Sequence, residues 1–159
     1  MIRTGIGYDS HRFVAGRPFI LGGVTIPHTH GLTGHSDADA VCHALTDAIL
    51  GAAAAGDIGK LFPDSDPRWQ GSDSVQLLQR AHAVVLAKGW RFLQGDVTVI
   101  CESPKLGPHF AAMAEKLALA LDVSPEVIGL KAKTNEGMGW IGRGEGIATL
   151  AVATLERLP

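Results

Sequence analysis

Gly31-Leu-Thr-Gly-His-Ser-Asp-Ala-Asp-Ala-Val-Cys-His-Ala-Leu-Thr-Asp47 leads into the first long helix of the chain, and the rest of the sequence is organised around it. Val41, Ala44, Leu45, Ala48, Ile49 and Ala52 recur at i, i+3, i+4 and i+7, which predicts a helix over residues 36–55 with one apolar stripe. Ser36 followed three residues later by Asp39 reads as a capping-box start, and acids in a first turn suit the helix dipole. On the same wheel Asp39, His43 and Asp47 fall at i, i+4 and i+8, on the opposite face. A face of acid, imidazole and acid either meets water or builds a site. His35 and Ser36 stand just ahead of the first turn, where free backbone N–H groups can take an anion. One helix thus offers a metal ligand beside a phosphate pocket.

The flanking elements follow from the same kind of reading. Residues 2–8 form a first strand, and Asp9-Ser-His11 is a loop directly after it. Residues 18–27 are a hairpin turning at Gly22-Gly23. Gly56 to Pro67, with two prolines and its short acids, is a loop that cannot continue a helix. A second helix starts at Ser72 or Ser74 and ends at Lys88 before Gly89, its inner arc made of Val75, Leu78, Ala81, His82 and Val85. Residues 96–102 alternate as a strand, Ser103 to Pro108 leave it as a loop, and Pro108 opens a third helix reaching Leu121. Ser124-Pro125-Glu126 caps a short turn, residues 128–133 are a strand, and a glycine-rich passage precedes the last strand, 147–155. Strands alternating with helices, after one early hairpin, predict an α/β (α+β) single domain over residues 1–159, a mixed β-sheet with helices packed on one face.

Composition narrows the classes of function. With 46% hydrophobic and 19% charged residues the 159-residue chain has an ordinary globular balance. A net charge of −2 without a basic run argues against nucleic acid as a partner. No apolar run approaches the roughly 20 residues that a membrane span needs. No apolar leader follows Met1, and the two cysteines, Cys42 and Cys101, read as reduced thiols, so the expected location is cytoplasmic.

Several groups could carry chemistry. An Asp9-x-His11 pair on a strand or its end points both side chains one way, which suits two ligands of one ion. His43 would complete a two-His, one-carboxylate set with an open position, as catalytic zinc requires. Asp47 or Asp39, one turn away, could orient the His43 ring. From spacing alone, a solvated or capped His43 stands equally beside that reading. His28-x-His30 reads as a surface pair, and His82 and His109 as structural. Cys42 has no base beside it and is no nucleophile. Lys131-Ala-Lys-Thr-Asn-Glu136 gathers cations, a hydroxyl, an amide and a carboxylate at a strand end, suited to phosphate and a hard cation. Arg143 and Glu145 read most simply as an intrachain ion pair.

Taken together, Asp9-Ser-His11, His35-Ser-Asp-Ala-Asp39, His43-Ala-Leu-Thr-Asp47, Gly56-Asp-Ile-Gly-Lys-Leu-Phe-Pro-Asp64, Lys131 to Glu136 and Gly142-Arg-Gly-Glu-Gly146 resemble the 2-C-methyl-D-erythritol 2,4-cyclodiphosphate synthases. The resemblance runs in order from residue 2 to residue 155. It implies a homotrimer around an internal channel, with active sites between subunits. It implies Zn²⁺ on Asp9, His11 and His43, and a second divalent cation, Mg²⁺ or Mn²⁺, at Glu136. The implied reaction cyclises 4-diphosphocytidyl-2-C-methyl-D-erythritol 2-phosphate with release of CMP, in the non-mevalonate route to isoprenoids. His35 and Thr134 are then the catalytic residues that stabilise the transferring phosphoryl group, and Ser36 adds a donor. Ser10 belongs to the substrate set beside Asp9 and His11. Asp57, Ile58 and Gly59 take the ribose and methylerythritol region, and Phe62, Pro63, Asp64, Ser65 and Asp66 the erythritol hydroxyls. Cys101, Pro104, Lys105, Leu106 and Gly107 make the cytidine pocket, while Lys133, Asn135, Trp140 and Arg143 complete the binding set. Lys133 departs from the threonine some members carry there, which adds charge near the phosphates. An isoprenoid diphosphate in the central channel is a further partner implied by the family. Two rival readings remain: a mononuclear zinc hydrolase, and a non-catalytic trimeric ligand-binding protein with a structural metal.

Overall fold

Alternating small and β-branched residues carry the chain into an extended strand at once, and in the computed structural model, which describes Met1–Pro159, that strand is β1 (Ile2–Ala15). It does not stop at Tyr8. Asp9, Ser10 and His11, expected in a loop, lie inside it, because β7 (Gly146–Arg157) supplies a continuous antiparallel partner from Ile2↔Glu156 to Arg12↔Gly146. With every ladder bond available, polar side chains are no reason for the backbone to turn away.

The hairpin forms as read, β2 (Phe19–Leu21) against β3 (Val24–Ile26), with Gly22 and Gly23 both at positive φ in the turn. Unexpected is β4 (His30–Leu32), a short strand that pairs with the far end of β1. The first long helix, α1 (Ala40–Ala52), begins later than expected. Its N-cap is Asp39, not Ser36, and Asp39 is fully buried rather than on a polar face. The Asp39 carboxylate accepts from Cys42 N at 3.0 Å and also from Gly22 N at 2.9 Å and Gly23 N at 2.7 Å. A cap that ties the hairpin turn to the helix start outcompetes a serine that could satisfy the helix alone. Burial pushes this carboxyl above its ordinary value, against those three N–H donors.

The acidic loop contains a short helix, α2 (Ile58–Leu61), capped by Asp57 through Lys60 N, and a single 3-10 turn over Pro67–Trp69. Helix α3 (Ser74–Ala87) is capped by Asp73 and ends before Gly89. β5 (Trp90–Ile100) is longer than the expected strand, since its N-terminal half pairs with the end of β7. Helix α4 (Phe110–Leu121) follows a short turn over Gly107–His109 and leads to β6 (Ile128–Lys133), parallel to β5. Parallel strands need such a crossover helix. The glycine-rich passage folds one turn of helix, α5 (Gly139–Gly142), before β7.

The result is a mixed five-stranded sheet in the order β4-β1-β7-β5-β6, with α1 across β1 and β7 and α3 and α4 beside it. The helix layer and inner sheet face share one core, including Leu45, Ile49, Leu78, Leu117 and Ile147. The other sheet face carries Ile6, Tyr8, Leu150 and Val152 in the open, with Ile6 71% exposed. No helix is long and apolar enough to cross a membrane.

Candidate metal centre and substrate cleft

Period two along β1 puts Gly5, Gly7, Asp9 and His11 on the face that α1 covers. A Cβ on Gly7 would stand 1.8 Å from the Ala44 carbonyl oxygen, and one on Gly5 2.1 Å from that of Ala48. Only glycine lets α1 lie this close to the strand. That approach brings His43, the residue before Ala44, against Asp9 and His11.

The three side chains converge. Asp9 Oδ2 is 2.7 Å from His11 Nε2 and 3.2 Å from His43 Nδ1, and the two nitrogens are 3.3 Å apart. Asp9, His11 and His43 are the only group of three potential ligands in the chain whose donor atoms lie within 4.8 Å of one another. His11 Nδ1 lies 2.8 Å from the Thr33 carbonyl, which can only accept, so Nδ1 carries a proton. A neutral His11 would then aim the Nε2 lone pair at a carboxylate oxygen, acceptor against acceptor. A cation between them resolves that conflict, and tetrahedral zinc ligands at bonds of about 2.0–2.2 Å sit roughly 3.3–3.5 Å apart. The donor set therefore fits a divalent metal. Without one, protons play its part. Burial raises the Asp9 carboxyl, but the hydrogen bonds and charges of His11 and His43 outweigh it and hold it below its ordinary value. Burial lowers His43, yet Asp9 foremost, then Asp39 and Asp37, bring it above its ordinary value.

Neither acid named from the helix wheel orients His43. Asp39 is the buried cap, and Asp47 accepts from Ile58 N at 2.7 Å, pinning α2 to α1. The His43 ring instead meets two hydroxyls, described below. At the helix start the first-turn N–H of Cys42 is taken by the carboxylate of Asp39.

A cleft of about 230 Å³ opens on the triad. His35, Ser36, Ile58, Gly59, Phe62 and Asp64 line it, as do Trp69 and Leu77, which the sequence reading missed. Those two carried no polar signature; Leu77 is one apolar residue of a helical stripe and Trp69 one of three tryptophans. Asp57, Pro63, Ser65 and Asp66 stand outside the lining. Asp57 is engaged as the α2 cap, and Asp66 is held by Arg68 at 2.5 Å.

The other expected residues gather elsewhere. Cys101 N donates to the Lys133 carbonyl at 2.8 Å, so the loop Cys101–Gly107 and the segment 133–136 leave the parallel ends of β5 and β6 side by side. The Glu102 carboxylate accepts from Asn135 N at 2.7 Å and Gly137 N at 3.4 Å, holding the turn in which Glu136 takes a positive φ. Thr134 and Glu136 are exposed neighbours, with 3.5 Å between Oγ1 and Oε1. Lys131 turns away from this cluster to pair with Asp96 at 2.5 Å. Pro104, Lys105, Leu106, Lys133 and Asn135 belong to this second cluster, and none of its members lines the triad's cleft. Ser10 and Trp140 border a third hollow that also touches His11. Arg143 pairs with Glu145 at 3.1 Å. Cys42 is buried in α1, and burial first, then Asp39, drives its thiol well above the ordinary value.

Residues 2–156 match the model of the YgbB family. The chain is 56% identical over 155 residues to the 2-C-methyl-D-erythritol 2,4-cyclodiphosphate synthase of Bordetella petrii, covering 98% of this chain and 96% of that protein. To the synthase of Synechocystis sp. it is 56% identical over 154 residues, covering 97% and 96%. Its fold superimposes on a solved 2C-methyl-D-erythritol-2,4-cyclodiphosphate synthase in its CDP-bound form, with a TM-score of 0.88, 44% identity, and 97% and 100% of the two chains covered. On the bifunctional IspDF from Campylobacter jejuni the TM-score is 0.96 at 44% identity, covering 99% of this chain and 43% of that one, so the chain spans less than half of the bifunctional protein. Matched in sequence and in fold along nearly its whole length, the chain belongs to the YgbB family, with these synthases as its relatives.

Proposed function

We propose that this chain is the subunit of a metal-dependent enzyme that cyclises 4-diphosphocytidyl-2-C-methyl-D-erythritol 2-phosphate to 2-C-methyl-D-erythritol 2,4-cyclodiphosphate, releasing CMP on the non-mevalonate route to isoprenoids. The observation that carries it is a ligand triad opening into a cleft, in a chain 56% identical over 155 residues to such a synthase.

An oxygen of the 2-phosphate attacks the β-phosphorus, and the bond from that phosphorus to the oxygen bridging the α-phosphate breaks. CMP departs with that oxygen and its electron pair. The attacking phosphate is already anionic at neutral pH, so the protein need not remove a proton. Its task is placement and the offsetting of charge. Asp9, His11 and His43 would hold Zn²⁺, and Glu136 would hold Mg²⁺ or Mn²⁺ together with substrate phosphates. When bound, these ions neutralise repulsion between the two phosphoryl groups.

His35 and Ser36 line the cleft beside the triad, where they can donate to phosphoryl oxygens. Ile58, Phe62, Trp69 and Leu77 offer apolar walls for the methylerythritol carbon chain, with Asp64 for its hydroxyls. The loop from Cys101 to Gly107, with Lys133, Thr134 and Asn135, would take the cytidine and its phosphate. These residues do not line the triad's cleft in their own chain, which supports a homotrimer whose neighbouring subunit brings them to it. The exposed apolar sheet face formed by Ile6, Tyr8, Leu150 and Val152 is the surface such a trimer would bury, and it is where an isoprenoid diphosphate would find an apolar channel.

Incubation with the cytidylyl substrate and Mg²⁺ in ¹⁸O-labelled water tests the reading. Stoichiometric CMP and a cyclic product free of label are expected. Label in the product identifies a hydrolase, and no CMP at all leaves a binding protein.

A further inference from the structure

We infer that Ser74 and Asp37 form a positioning pair behind His43, fixing the tautomer and the direction in which its ring presents Nδ1 to the cation shared with Asp9 and His11. The inference rests on the metal reading given above, and it concerns two residues given no chemical role so far, Asp37 inside the motif of residues 35–39 and Ser74 outside every motif.

His43 is clasped between two kinds of partner. Nδ1 faces Asp9 Oδ2 at 3.2 Å and His11 Nε2 at 3.3 Å. On the far side of the ring, Nε2 lies 2.8 Å from Ser74 Oγ and 3.0 Å from Ser36 Oγ. Behind Ser74 stands a carboxylate. Ser74 Oγ donates to Asp37 Oδ1, and Asp37 Oδ2 accepts from Ser74 N at 3.0 Å.

The direction of the hydrogen bonds follows by counting hydrogens. The serine hydroxyl has one hydrogen, and an ionised carboxylate can only accept, so that hydrogen goes to Asp37. Ser74 Oγ is left with lone pairs alone for His43, and His43 Nε2 must donate to it. The Nε2 proton leaves a lone pair on Nδ1, aimed at Asp9 and His11. The Thr33 carbonyl imposes the matching choice on His11 from the opposite side, at 2.8 Å. Both imidazoles therefore turn a lone pair to the same point because of what lies behind them. Ser36 cannot replace Ser74 here. Its hydroxyl has Ala38 N at 3.3 Å and Ser74 Oγ at 3.4 Å beside it, and no carboxylate to fix which way it donates.

The pair is also anchored. Ser74 is the first residue of α3 and fully buried, and Asp37 lies on a loop whose backbone N–H donates to the Ser72 carbonyl at 3.1 Å. Ser74 thus reaches from the start of α3 to His43 on α1 without itself lining the cleft.

The test measures Zn²⁺ affinity by chelator competition, and the ring tautomer of metal-free His43 by long-range ¹H–¹⁵N spectra in alkaline buffer, where the ring is neutral. Native chain, Ser74→Ala, Asp37→Asn and His43→Ala are compared, with melting of the metal-free chains to show that each is folded. Ser74→Ala is expected to weaken zinc about 10–100-fold, the range typical of lost outer partners of a ligating histidine. Asp37→Asn should do the same by another route. With the amide oxygen on Ser74 N, the NH₂ group meets Oγ, the serine then donates to Nε2, and the Nε2–H signature gives way to Nδ1–H. Native zinc affinity and an unchanged Nε2–H signal in both folded variants would overturn the pair. Native zinc affinity in His43→Ala would instead remove the metal reading beneath it.

Discussion

The Asp39 carboxylate satisfies buried N–H groups on two elements at once, Cys42 in α1 and Gly22 and Gly23 in the hairpin turn. Asp39→Ala removes a helix cap and strands buried donors, so a loss of about 3 kcal/mol is expected in urea unfolding. The cysteines make the opposite case, in which burial silences chemistry. Burial, then the charge of Glu102, pushes the Cys101 thiol up to about 11, outweighing a backbone hydrogen bond with Ser103, and Cys42 lies well above its ordinary value. Neither thiol forms appreciable thiolate at pH 8, so both should react with a disulfide reagent only after denaturation, as thiol release would show. His82 sets a pH limb. Burial lowers it below 6.5, outweighing Asp122 and the Ala120 carbonyl. Its folded value lies below its unfolded one, so its contribution is complete above pH 6.5 and is lost as pH falls through the depressed value. His82→Gln should flatten that acid limb in urea unfolding measured from pH 7 to pH 5.

Between elements, the contact of β1 with α1 governs how Asp9, His11 and His43 converge. Gly5 and Gly7 lie where a side chain would enter the backbone of α1. Gly7→Ala is expected to cost about 3 kcal/mol or more, since the obstacle is a carbonyl oxygen rather than a flexible side chain. By pushing α1 outward it should also part His43 from Asp9 and reduce zinc affinity, although no ligand has changed. Urea unfolding and metal titration of one preparation would show both effects together. The same scale explains two departures from the sequence reading. The polar run Asp9-Ser-His11 stays extended because β7 pairs it through to Arg12, and the α1 cap falls on Asp39 because the hairpin turn adds two donors to that choice. Periodicity sees one element at a time, whereas these outcomes are settled by a second.

Over the whole molecule, the unresolved demand is the outer sheet face. Ile6 pairs with Val152 and Tyr8 with Leu150 across β1 and β7, which makes their exposed side chains one contiguous patch. A patch of that kind predicts self-association. Sedimentation should report a mass three times the 16.7 kDa chain. Val152→Glu should yield monomers that lose turnover, because the cytidine cluster would come from a neighbour, yet keep zinc, because Asp9, His11 and His43 come from one chain.

Residue types and their spacing were sufficient for the order of the longer strands and helices, the Gly22-Gly23 hairpin, the helices near 74–88 and 110–121, and strand 128–133, since each depends on local periodicity and turn chemistry. The six motifs in register also named the residues that converge as the triad. What only the tertiary structure decided was which groups stand behind them. Thr33 acts through a carbonyl that every residue owns, Ser74 lies 31 residues from the histidine it meets, and Trp69 and Leu77 look like any apolar side chain. Such partners are chosen by the close approach of α1 to β1 and of α3 to α1, and distance along the chain carries no trace of it.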